Sequence, residues 1–440
     1  MTAITRGLYT ILLALVSPLL LWGLYRSKPN KPSFGKRWRE HFGFTLKIEN
    51  SRNGVIWLHA VSVGEAIASS KLIAELTARY PDKTLLITTT TSTGAEQIAK
   101  IIKNLGASDN IVHRYMPIDF SWCVRRFIRI VNPEMMLIIE TEIWPNTIHT
   151  VANRNIPIVL VNGRLSEKSA RNYHRLRLLI DPILKKLAEL LVVHGADQDR
   201  FIALGVSQQK IKTTGSLKYD IAIDDGAITL GNQLRDQLGC ERKVWIAAST
   251  HAGEDENVLA AYQQAKAMVP ELLLVLVPRH PERFDDVAQL VESYQLKVVR
   301  RTQLGAKELD NTVDVYLADT MGEMMTLLAA SDIVFMGGSL LGQKVGGHNF
   351  IEPAILGKFC ITGPSYYNFA DLAQQLMAEN ALSVVEDSAS LADVLMSNLA
   401  NQNEMFKKGI AGKEVVVRNQ GALIKTLSAI DAIQTKKNIQ

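Results

Sequence analysis

The sequence contains little cysteine, and its cysteines are not arranged for cross-linking. Only three occur in 440 residues, namely Cys123, Cys240 and Cys360. Their number is odd and their wide spacing fits no metal-binding pattern. A disulfide framework is therefore excluded, and the cysteine usage indicates a protein that works in a reducing compartment.

Several signatures of enzyme classes are also missing. The sequence contains no H-E-x-x-H zinc motif, no Walker A loop, no G-x-S-x-G elbow and no G-x-G-x-x-G in register. The nine histidines are scattered and form no cysteine–histidine cluster. The short string HAGE (251–254) is too brief for a metal signature and is interpreted as a helix cap. These absences argue against a zinc protease, a P-loop NTPase and a serine hydrolase, and no metal is expected.

Net charge is almost zero outside one end of the chain. The whole chain has 49 basic and 44 acidic residues, which gives +5. Residues 1–40 contain seven basic residues and a single acidic one, so this segment carries +6 and the remainder carries −1. A body without excess positive charge does not indicate a nucleic-acid-binding protein.

The basic end also contains an uncharged apolar segment, residues 7–25. Its length is close to the ~20 residues that span a bilayer, and aromatic residues lie near both ends. A cleaved signal peptide is the alternative, but no A-x-A-like site follows. Because the downstream flank is the more basic one, the positive-inside rule predicts a single-pass anchor with the body on the cytoplasmic face, near inner-leaflet lipids.

The body alternates between strand-like and helix-like segments. Apolar, strand-like segments in the first half are residues 55–61, 84–90, 135–140, 156–162 and 190–195. After a loose stretch at 216–232, which we interpret as a linker, the pattern resumes at 243–250, 272–278, 297–301, 315–319, 332–338 and 358–363. This alternation predicts two doubly wound α/β domains that face a cleft. The expected boundaries are 1–30 for the anchor, 31–222 for the first domain and 223–440 for the second.

The string HAVSVGE places Glu65 just beyond the first predicted strand. Ser62 and Glu65 form an S-x-x-E capping box, so the carboxylate has a structural interpretation as a helix cap, which the pattern alone favours. The alternative is a catalytic carboxylate, because open α/β sheets bind ligands at the carboxyl ends of their strands. Glu140 and Lys218 follow the same rule, although a solvated loop and a surface lysine are their simpler interpretations.

In the second half, four polar or glycine-rich strings follow predicted strands. They are ASTHAGEDE (248–256), VPRHPERF (277–284), ADTMGEMMTLL (318–328) and GGSLLGQKVGGHNFIEPA (337–354). Glycines let backbone N–H groups approach a phosphate, and Arg279 can bind phosphate oxygens with its guanidinium. Each string alone is typical of a turn or cap. Together, at one edge of one domain, they predict a nucleotide site.

The strings also share an order with a known family. HAVSVGE, ETEIWPN, NGRLSEKS, TGSLKYD, STHAGEDE, PRHPER, DTMGE and GGHNFIEPA resemble the 3-deoxy-D-manno-octulosonic acid (Kdo) transferases of lipopolysaccharide biosynthesis. The resemblance implies a GT-B glycosyltransferase fold at the bacterial inner membrane. It also implies transfer of Kdo from CMP-Kdo to an anionic lipid A precursor (lipid IVA) with inversion, without a metal or other cofactor.

The resemblance also implies roles for individual residues. Glu65 matches the general base, and Glu140 and Lys218 match residues that stabilise the transition state. Ser216, in TGSLKYD, stands where the family often has asparagine, which puts the contacts around Lys218 in doubt. The residues that match CMP-binding segments are Arg279, His280, Met321, Gly322, Glu323, Asn349, Phe350, Ile351 and Glu352.

Three other functions are compatible with parts of this pattern. A GT-B transferase using a UDP-sugar would differ in the base that it recognises. A sugar-nucleotide epimerase on the same fold would not need the anchor. A membrane-tethered nucleotide sensor would tolerate loss of the Glu65 carboxylate. The anchor argues against the epimerase, and the placement of Glu65 argues against the sensor.

Overall fold

The computed structural model describes residues 3–26, 32–48, 53–106, 110–221, 223–305 and 308–439. Lys28 and Lys31 of the basic segment, and the expected boundary positions 30, 31 and 222, lie outside these ranges. The chain forms two compact units, one of Met1–Asp220 with Gln420–Gln440 and one of Ile221–Asn419.

The first unit is built on a parallel sheet that helices cover. Its elements up to the end of the sheet are α1 Ala3–Tyr25, β1 Val55–His59, α2 Val63–Ala68, α3 Ser70–Arg79, β2 Thr84–Thr89, α4 Ser92–Asn104, β3 Ile111–Tyr115, α5 Ser121–Val131, β4 Met135–Ile139, α6 Pro145–Ala152, β5 Ile158–Gly163, α7 Glu167–Arg175, α8 Arg177–Leu184, β6 Glu189–Val192, α9 Gly195–Ala203 and β7 Ile211–Thr213. The seven strands run in the order β3-β2-β1-β4-β5-β6-β7.

The second unit repeats this architecture. Its elements are α10 Asp225–Leu238, β8 Val244–Thr250, α11 Asp255–Met268, β9 Leu273–Pro278, α12 Phe284–Ser293, β10 Val298–Arg300, α13 Arg301–Leu304, β11 Val315–Leu317, α14 Met324–Ala330, β12 Ile333–Met336, α15 Ile351–Ile355, β13 Phe359–Thr362, α16 Ala370–Ala378, β14 Leu382–Val384, α17 Ser388–Ala400 and α18 Gln402–Arg418. The strand order is β10-β11-β9-β8-β12-β13-β14. The prediction of two doubly wound α/β domains is confirmed.

The central strands are buried along their whole length. Every residue of β1, β4, β8 and β9 is buried except Ser249 near the end of β8. Strands covered on both faces by helices exclude water from both sides, which is why their sequences are continuously apolar and do not alternate. The continuous apolar segments of the sequence therefore predicted a parallel sheet covered on both faces, which the structure confirms.

The C-terminal helix α19, Ala422–Ile439, packs on the first unit, so the sequence-based assignment of residues 420–440 to the second domain is wrong. The carboxylate of Asp220 accepts hydrogen bonds from the backbone N–H groups of Gly421 and Leu423, each at 2.6 Å. Ala422 and Ile430 of α19 belong to the first unit's apolar core. Polar capping and apolar burial together hold the chain's end on the first unit.

Each sheet has one position where the strand order reverses direction. In the first unit this switch lies between β1 and β4, and in the second it lies between β8 and β12. Connections leave on opposite sides of such a position, which opens a crevice beyond the carboxyl ends of the two strands. The segments after these four strands are therefore the first places to look for a ligand site.

Helix α1 has the length and composition of a membrane-spanning helix, with a mean hydropathy of 1.9 over Ile4–Tyr25. One of its sides packs on α6 and α8 of the first unit. Tyr9 donates a hydrogen bond to Asp119 at 2.9 Å, and Asn146 donates one to the Thr10 hydroxyl at 3.1 Å. These two contacts fix the helix against the domain.

Candidate active site

Glu65 lies in the first turn of α2, beside the switch in the first unit. Its Oε2 accepts a hydrogen bond from the Val61 N–H at 2.6 Å, and its Oε1 accepts one from the Ser62 hydroxyl at 2.8 Å. The Ser62 Oγ in turn accepts from the Glu65 N–H at 3.3 Å. Ser62 therefore caps the helix as predicted, but the Glu65 carboxylate binds the Val61 N–H and the Ser62 hydroxyl and not the Ser62 N–H, so the reciprocal half of the capping box is replaced. These bonds hold the carboxylate in one orientation.

The environment of Glu65 favours its protonated form. The residue is only 7% exposed. The pKa of the Glu65 carboxyl is raised to about 7, chiefly by burial. The negative charges of Glu140 and Glu142 also raise it, and the hydrogen bonds from Val61 and Ser62 lower it. A carboxyl group with a pKa near neutrality can take and release a proton at working pH.

Glu140 ends β4 on the other side of the switch. Its φ of 57° lies in the left-handed region, which residues with a Cβ seldom adopt. A hydrogen bond of 2.8 Å from its N–H to the Val161 carbonyl holds this turn. Such strained residues occur often at functional sites, and here the strain turns the chain sharply at the sheet edge.

Lys218 belongs to a short 3₁₀ turn, Leu217–Tyr219, and is half-buried. Burial lowers the pKa of its ammonium group, Glu140 raises it and Arg164 lowers it. Lys218 is thus electrostatically coupled to both groups. Ser216, at the departure from the family pattern, accepts a hydrogen bond from the Lys218 N–H at 3.4 Å, so this residue helps to shape the turn.

The structure therefore brings the three catalytic candidates of the first unit, Glu65, Glu140 and Lys218, into one electrostatic cluster. Glu142, which is not among the catalytic candidates from the sequence, also belongs to it. The Glu142 carboxylate accepts a hydrogen bond from Trp144 Nε1 at 2.8 Å, and the Trp144 ring contacts His59 with 5.3 Å between centroids. The tryptophan in ETEIWPN was the signal that this loop is packed.

In the second unit, histidines and an arginine follow β8, β9 and β12. His251 and His348 stack at 5.1 Å with their Nε2 atoms 2.9 Å apart, and His251 meets His280 edge-on at 5.3 Å. Burial, followed by the positive charges of His251, Arg279 and His280, lowers the pKa of His348 to about 4. The two stacked rings are therefore neutral near pH 7, and the permanent positive charge is that of Arg279.

Glu254 is the N-cap residue of α11 by position, as the interpretation of HAGE as a helix cap implied, but its side chain makes no cap hydrogen bond and instead organises the glycine-rich loop. Its side chain is fully buried. The carboxylate accepts hydrogen bonds at 2.7–3.0 Å from the backbone N–H groups of His251, Gly338, Ser339 and Leu340. One charge thus ties the turn after β8 to the loop after β12. The string HAGE does not reveal that Glu254 binds backbone N–H groups 84–86 residues further along the chain.

The loop needs glycine where it approaches the histidines. Gly338 has a φ of 70°, and a Cβ there would lie 2.8 Å from the His348 ring. Gly337 is equally tight, since a Cβ would lie 2.7 Å from the Ser249 carbonyl oxygen. Any side chain at these positions would push apart the two segments that Glu254 holds together. The glycines are therefore a packing requirement of this edge.

The CMP-binding candidates in GGHNFIEPA differ in what their side chains can do. Phe350 and Ile351 are buried in the domain, so a ligand would meet only their backbone. Asn349 accepts a hydrogen bond from the Ile351 N–H at 3.0 Å. Burial raises the pKa of Glu352, whereas Asn349 and Arg279 lower it. Glu352 and Arg279 are therefore close enough to interact.

The candidates at 321–323 follow β11, one strand beyond β9. The Met321 side chain is 57% exposed, and Gly322 has a φ of 88°. The Glu323 carboxylate pairs with Arg301 at 3.1 Å and accepts a hydrogen bond from the Thr320 hydroxyl. These bonds lower the pKa of Glu323 and commit it largely to protein partners. In the described part of the chain, no group of three or more His, Cys, Asp or Glu residues is arranged to hold a metal ion.

Known protein structures resemble this chain over both of its units. The chain resembles a glycosyltransferase from Rickettsia africae, with a TM-score of 0.54 at 13% identity over 87% of this chain and 99% of that one. It also resembles the UDP-GlcNAc 2-epimerase from Neisseria meningitidis, with a TM-score of 0.53 at 12% identity over 83% of this chain and 98% of that one. These likenesses concern the fold alone, and with them the expected GT-B architecture is confirmed.

Comparison of sequences gives the family. Residues 36–221 match the family model described as 3-deoxy-D-manno-octulosonic-acid transferase. The chain is 36% identical to the 3-deoxy-D-manno-octulosonic acid transferase of Haemophilus influenzae, over 97% of this chain and 98% of that protein. It is 31% identical to the enzyme of the same name from Bordetella pertussis, over 97% and 99% of the two chains. The chain belongs to the family of Kdo transferases, the glycosyltransferases that act in lipopolysaccharide biosynthesis.

Proposed function

We propose that the protein transfers Kdo from CMP-Kdo to a lipid A precursor, lipid IVA, with inversion at the anomeric carbon and release of CMP. The observation that carries this proposal is the Glu65 carboxylate. It is almost fully buried, is oriented by two hydrogen bonds beside the switch between β1 and β4, and has a pKa of about 7. Those are the properties that a general base needs.

Glu65 has room to accept a proton although it caps its helix. A carboxylate offers about four lone-pair positions. The Val61 N–H and the Ser62 hydroxyl each occupy one, on different oxygens. The remaining positions can accept a hydrogen bond from an acceptor hydroxyl. The structural and the catalytic interpretations of Glu65 are therefore compatible.

The transfer step balances with a single base. As the acceptor oxygen forms its bond to the anomeric carbon of Kdo, its proton passes to Glu65. The bond between that carbon and the phosphate oxygen breaks, and its electron pair leaves with CMP. A single displacement of this kind inverts the anomeric centre, whereas retention would need an additional nucleophile. General-base assistance contributes typically ~10²–10⁴-fold to such a step.

Lys218 and Glu140 would act on the charge of the reacting sugar. Kdo carries a carboxylate, and the half-buried Lys218 ammonium is suited to pair with it. Glu140 couples electrostatically to both Glu65 and Lys218. Its negative charge would stabilise the positive charge that develops at the anomeric carbon and keep Lys218 protonated. These are proposed roles, and each can be tested by substitution.

The second unit would hold the CMP part of the donor. Arg279 supplies a permanent positive charge, and the neighbouring His280, Asn349 and Glu352 supply polar groups for phosphate, ribose and base. Met321 and Gly322 lie open at the same edge, whereas Glu323 is held by Arg301. Because CMP leaves with one phosphate, the arginine and backbone N–H groups would suffice without a metal or other cofactor.

The acceptor would be a lipid, which accounts for the chain's amino-terminal end. Helix α1 is apolar enough to enter a membrane, and the segment that contains it carries +6. A basic flank attracts anionic headgroups and favours the cytoplasmic side. We therefore place the protein at the inner face of the bacterial inner membrane, anchored by α1.

The test is a mass-spectrometric assay of the lipid product. Detergent-purified protein is incubated with CMP-Kdo and tetra-acylated lipid IVA, with and without EDTA. We expect additions of one or more Kdo masses and an EDTA-insensitive rate. Glu65→Gln should lower the rate roughly 10²–10⁴-fold. The matched control is Glu75→Gln, an exposed glutamate on α3, which should retain the wild-type rate.

The outcomes separate the parts of the proposal. No product from the wild-type protein with CMP-Kdo, but product with a UDP-sugar, would contradict the donor. A full rate for Glu65→Gln would leave Glu65 as a helix cap only. The anomeric configuration of the product, read by NMR, tests inversion independently.

A further inference from the structure

A groove of about 350 Å³ lies between α1 and the rest of the first unit. We call it the α1 groove. Leu13, Leu20 and Leu24 form the wall on α1, and Met116, Ile118 and Ile143 form the opposite wall. A groove of this size is within the range of small-ligand sites, and its walls are chiefly apolar.

Asp119 and His41, two polar residues that line the groove, already have hydrogen-bond partners, whereas the buried Thr90 hydroxyl has none among the described residues. Asp119 Oδ2 accepts hydrogen bonds from Tyr9 at 2.9 Å and the Asn146 N–H at 3.0 Å. Its Oδ1 accepts from the N–H and hydroxyl of Thr147, both at 2.6 Å. All four lone-pair positions of the carboxylate are thus used. Both nitrogens of His41, another lining residue, also have partners, in Tyr25 and Thr90. The groove therefore favours an apolar occupant.

The opposite side of α1 indicates where this occupant comes from. Leu8, Leu12, Leu15 and Leu19 are each more than 60% exposed along that side. A row of exposed leucines costs free energy in water and costs none in hydrocarbon. Because α1 packs along the body from Tyr9 to Tyr25, we expect its exposed side to lie in the membrane surface, where the apolar chains available to the groove are acyl chains.

The inner end of the groove meets the candidate catalytic cluster. Trp144 lines the groove and donates a hydrogen bond to Glu142 at 2.8 Å. Glu142 is one of the two carboxylates that raise the pKa of Glu65. An amphiphile with its chain in the groove would thus present its polar head near Glu65. The cluster would retain an acceptor, whose hydroxyl can bind Glu65, and would not retain a bulk phospholipid.

We propose that the α1 groove binds one acyl chain of the acceptor glycolipid, so that α1 is a wall of the acceptor site as well as a membrane anchor. This inference rests on the proposed function, because it assigns the chain to that acceptor. Asp119, whose four lone-pair positions all accept hydrogen bonds, then has a structural role. Its bond to Tyr9 holds the two walls at a fixed separation.

The groove can be filled with one substitution that has a matched control on the same helix. Leu13 faces the groove, and Leu15, which is 75% exposed, lies on the opposite side. Leu13→Trp should raise the KM for the tetra-acylated acceptor at least tenfold and leave the rate with a fully de-acylated acceptor within twofold of wild type. Leu15→Trp should change neither value by more than twofold, since both variants keep α1 apolar.

A second measurement needs no turnover. An acceptor with a diazirine in one acyl chain should cross-link to the peptide that contains Met116 and Ile118 on the body wall, and Leu13→Trp should abolish this cross-link. Equal cross-linking by a diazirine phospholipid would overturn the assignment to the acceptor. An equal loss of rate with both acceptors in Leu13→Trp would overturn the groove as a chain site. A wild-type protein that transfers nothing but shows the specific cross-link would contradict the proposed reaction and leave the groove supported.

Discussion

Beyond β1 and β4 of the first unit stand the carboxylates of Glu65 and Glu140, whereas beyond β8 and β12 of the second unit stand the imidazoles of His251 and His348. Burial acts on both sets in the same way, by favouring the neutral form. It raises the pKa of Glu65 to about 7 and lowers the pKa of His348 to about 4. At neutral pH the first edge therefore holds a group poised to exchange a proton, and the second holds neutral rings beside a fixed charge, Arg279.

The backbone of the two edges is more alike than their chemistry. Glu140, at the end of β4, has a φ of 57°, and Ser249, near the end of β8, has a φ of 58°. Both units thus turn the chain sharply with a strained non-glycine residue at a strand that borders the switch. The comparison shows that the sheet supplies the same crevice twice. We propose that the residues placed after the strands assign proton chemistry to the first unit and anion binding to the second.

The largest effect that should separate the units comes from Lys218→Met. Removing the cation beside Glu140 should lower kcat roughly 10²–10³-fold, because a positioned charge that stabilises the transition state is lost. The dissociation constant of CMP should stay unchanged. Lys212→Met, at a more exposed lysine of the same unit, is the control, and Lys218→Arg should recover part of the rate. Weaker CMP binding in Lys218→Met would contradict the assignment of catalysis to the first unit and of CMP binding to the second.

The reciprocal change is Arg279→Gln in the second unit. Losing a charged hydrogen bond of about 1.5–3 kcal/mol should weaken CMP binding roughly 10–100-fold in isothermal titration calorimetry. At saturating donor the kcat should fall far less than in Lys218→Met. Arg300→Gln removes a surface arginine paired with Asp285 and should leave the affinity as in wild type. An unchanged affinity for Arg279→Gln would remove Arg279 from the donor site.

Glu254→Gln tests what holds the second edge together. An amide offers one acceptor oxygen and adds two donors, so at least one buried N–H loses its partner at about 1–3 kcal/mol. For a unit of this size that corresponds to roughly 2–10 °C in melting temperature. CMP binding should weaken several-fold, because the loop that carries His348 is no longer fixed. Glu256→Gln, an exposed neighbour on α11, should behave as wild type in both measurements. Normal CMP affinity in a destabilised Glu254→Gln would make Glu254 purely structural.

The smallest effect concerns the histidines. Since the pKa of His348 is about 4, the ring is neutral throughout the range from pH 6 to 8. The wild-type protein and His348→Gln should therefore show parallel pH profiles of CMP affinity. A slope that is present in wild type and absent in the variant would show that His348 titrates.

The sequence predicted the central strands well and the peripheral elements poorly. Strands buried on both faces have continuous apolar sequences, which is why β1, β4, β8 and β12 were found. The edge strand β3 was missed, because His113 and Arg114 interrupt its apolar pattern. In the structure, Arg37 donates to the His113 carbonyl at 3.1 Å and Glu40 accepts from the Tyr115 N–H at 2.7 Å. Those polar partners come from a distant segment that no local pattern reveals.

Long-range packing accounts for the other misassigned segments. Residues 225–232, interpreted as part of the linker, belong to α10, which packs on α14 so closely that a Cβ at Gly231 would lie 2.5 Å from the Ala329 Cβ. The position of α19 on the first unit likewise depends on Asp220. Neither partnership leaves a periodic signal in its own stretch of sequence.

At the site, position after a strand identified Glu65, Glu140 and Lys218, and the S-x-x-E string identified the cap. Two features were beyond the sequence. The raised pKa of Glu65 depends chiefly on its burial, and to a smaller extent on Glu140 and Glu142, which the folded chain brings near. The role of Glu254 depends on backbone N–H groups in another loop, and backbone donors look the same in every sequence.

The most direct test of Glu65 as the base is the pH dependence of kcat/KM. A base must be deprotonated to act, so the wild-type value should fall tenfold per pH unit below about 7, the pKa of Glu65, and reach a plateau above it. In Glu65→Gln the residual activity should lose this acidic limb, because the carboxyl group that produces it has been removed. An acidic limb that persists unchanged in Glu65→Gln would contradict the assignment of Glu65 as the base.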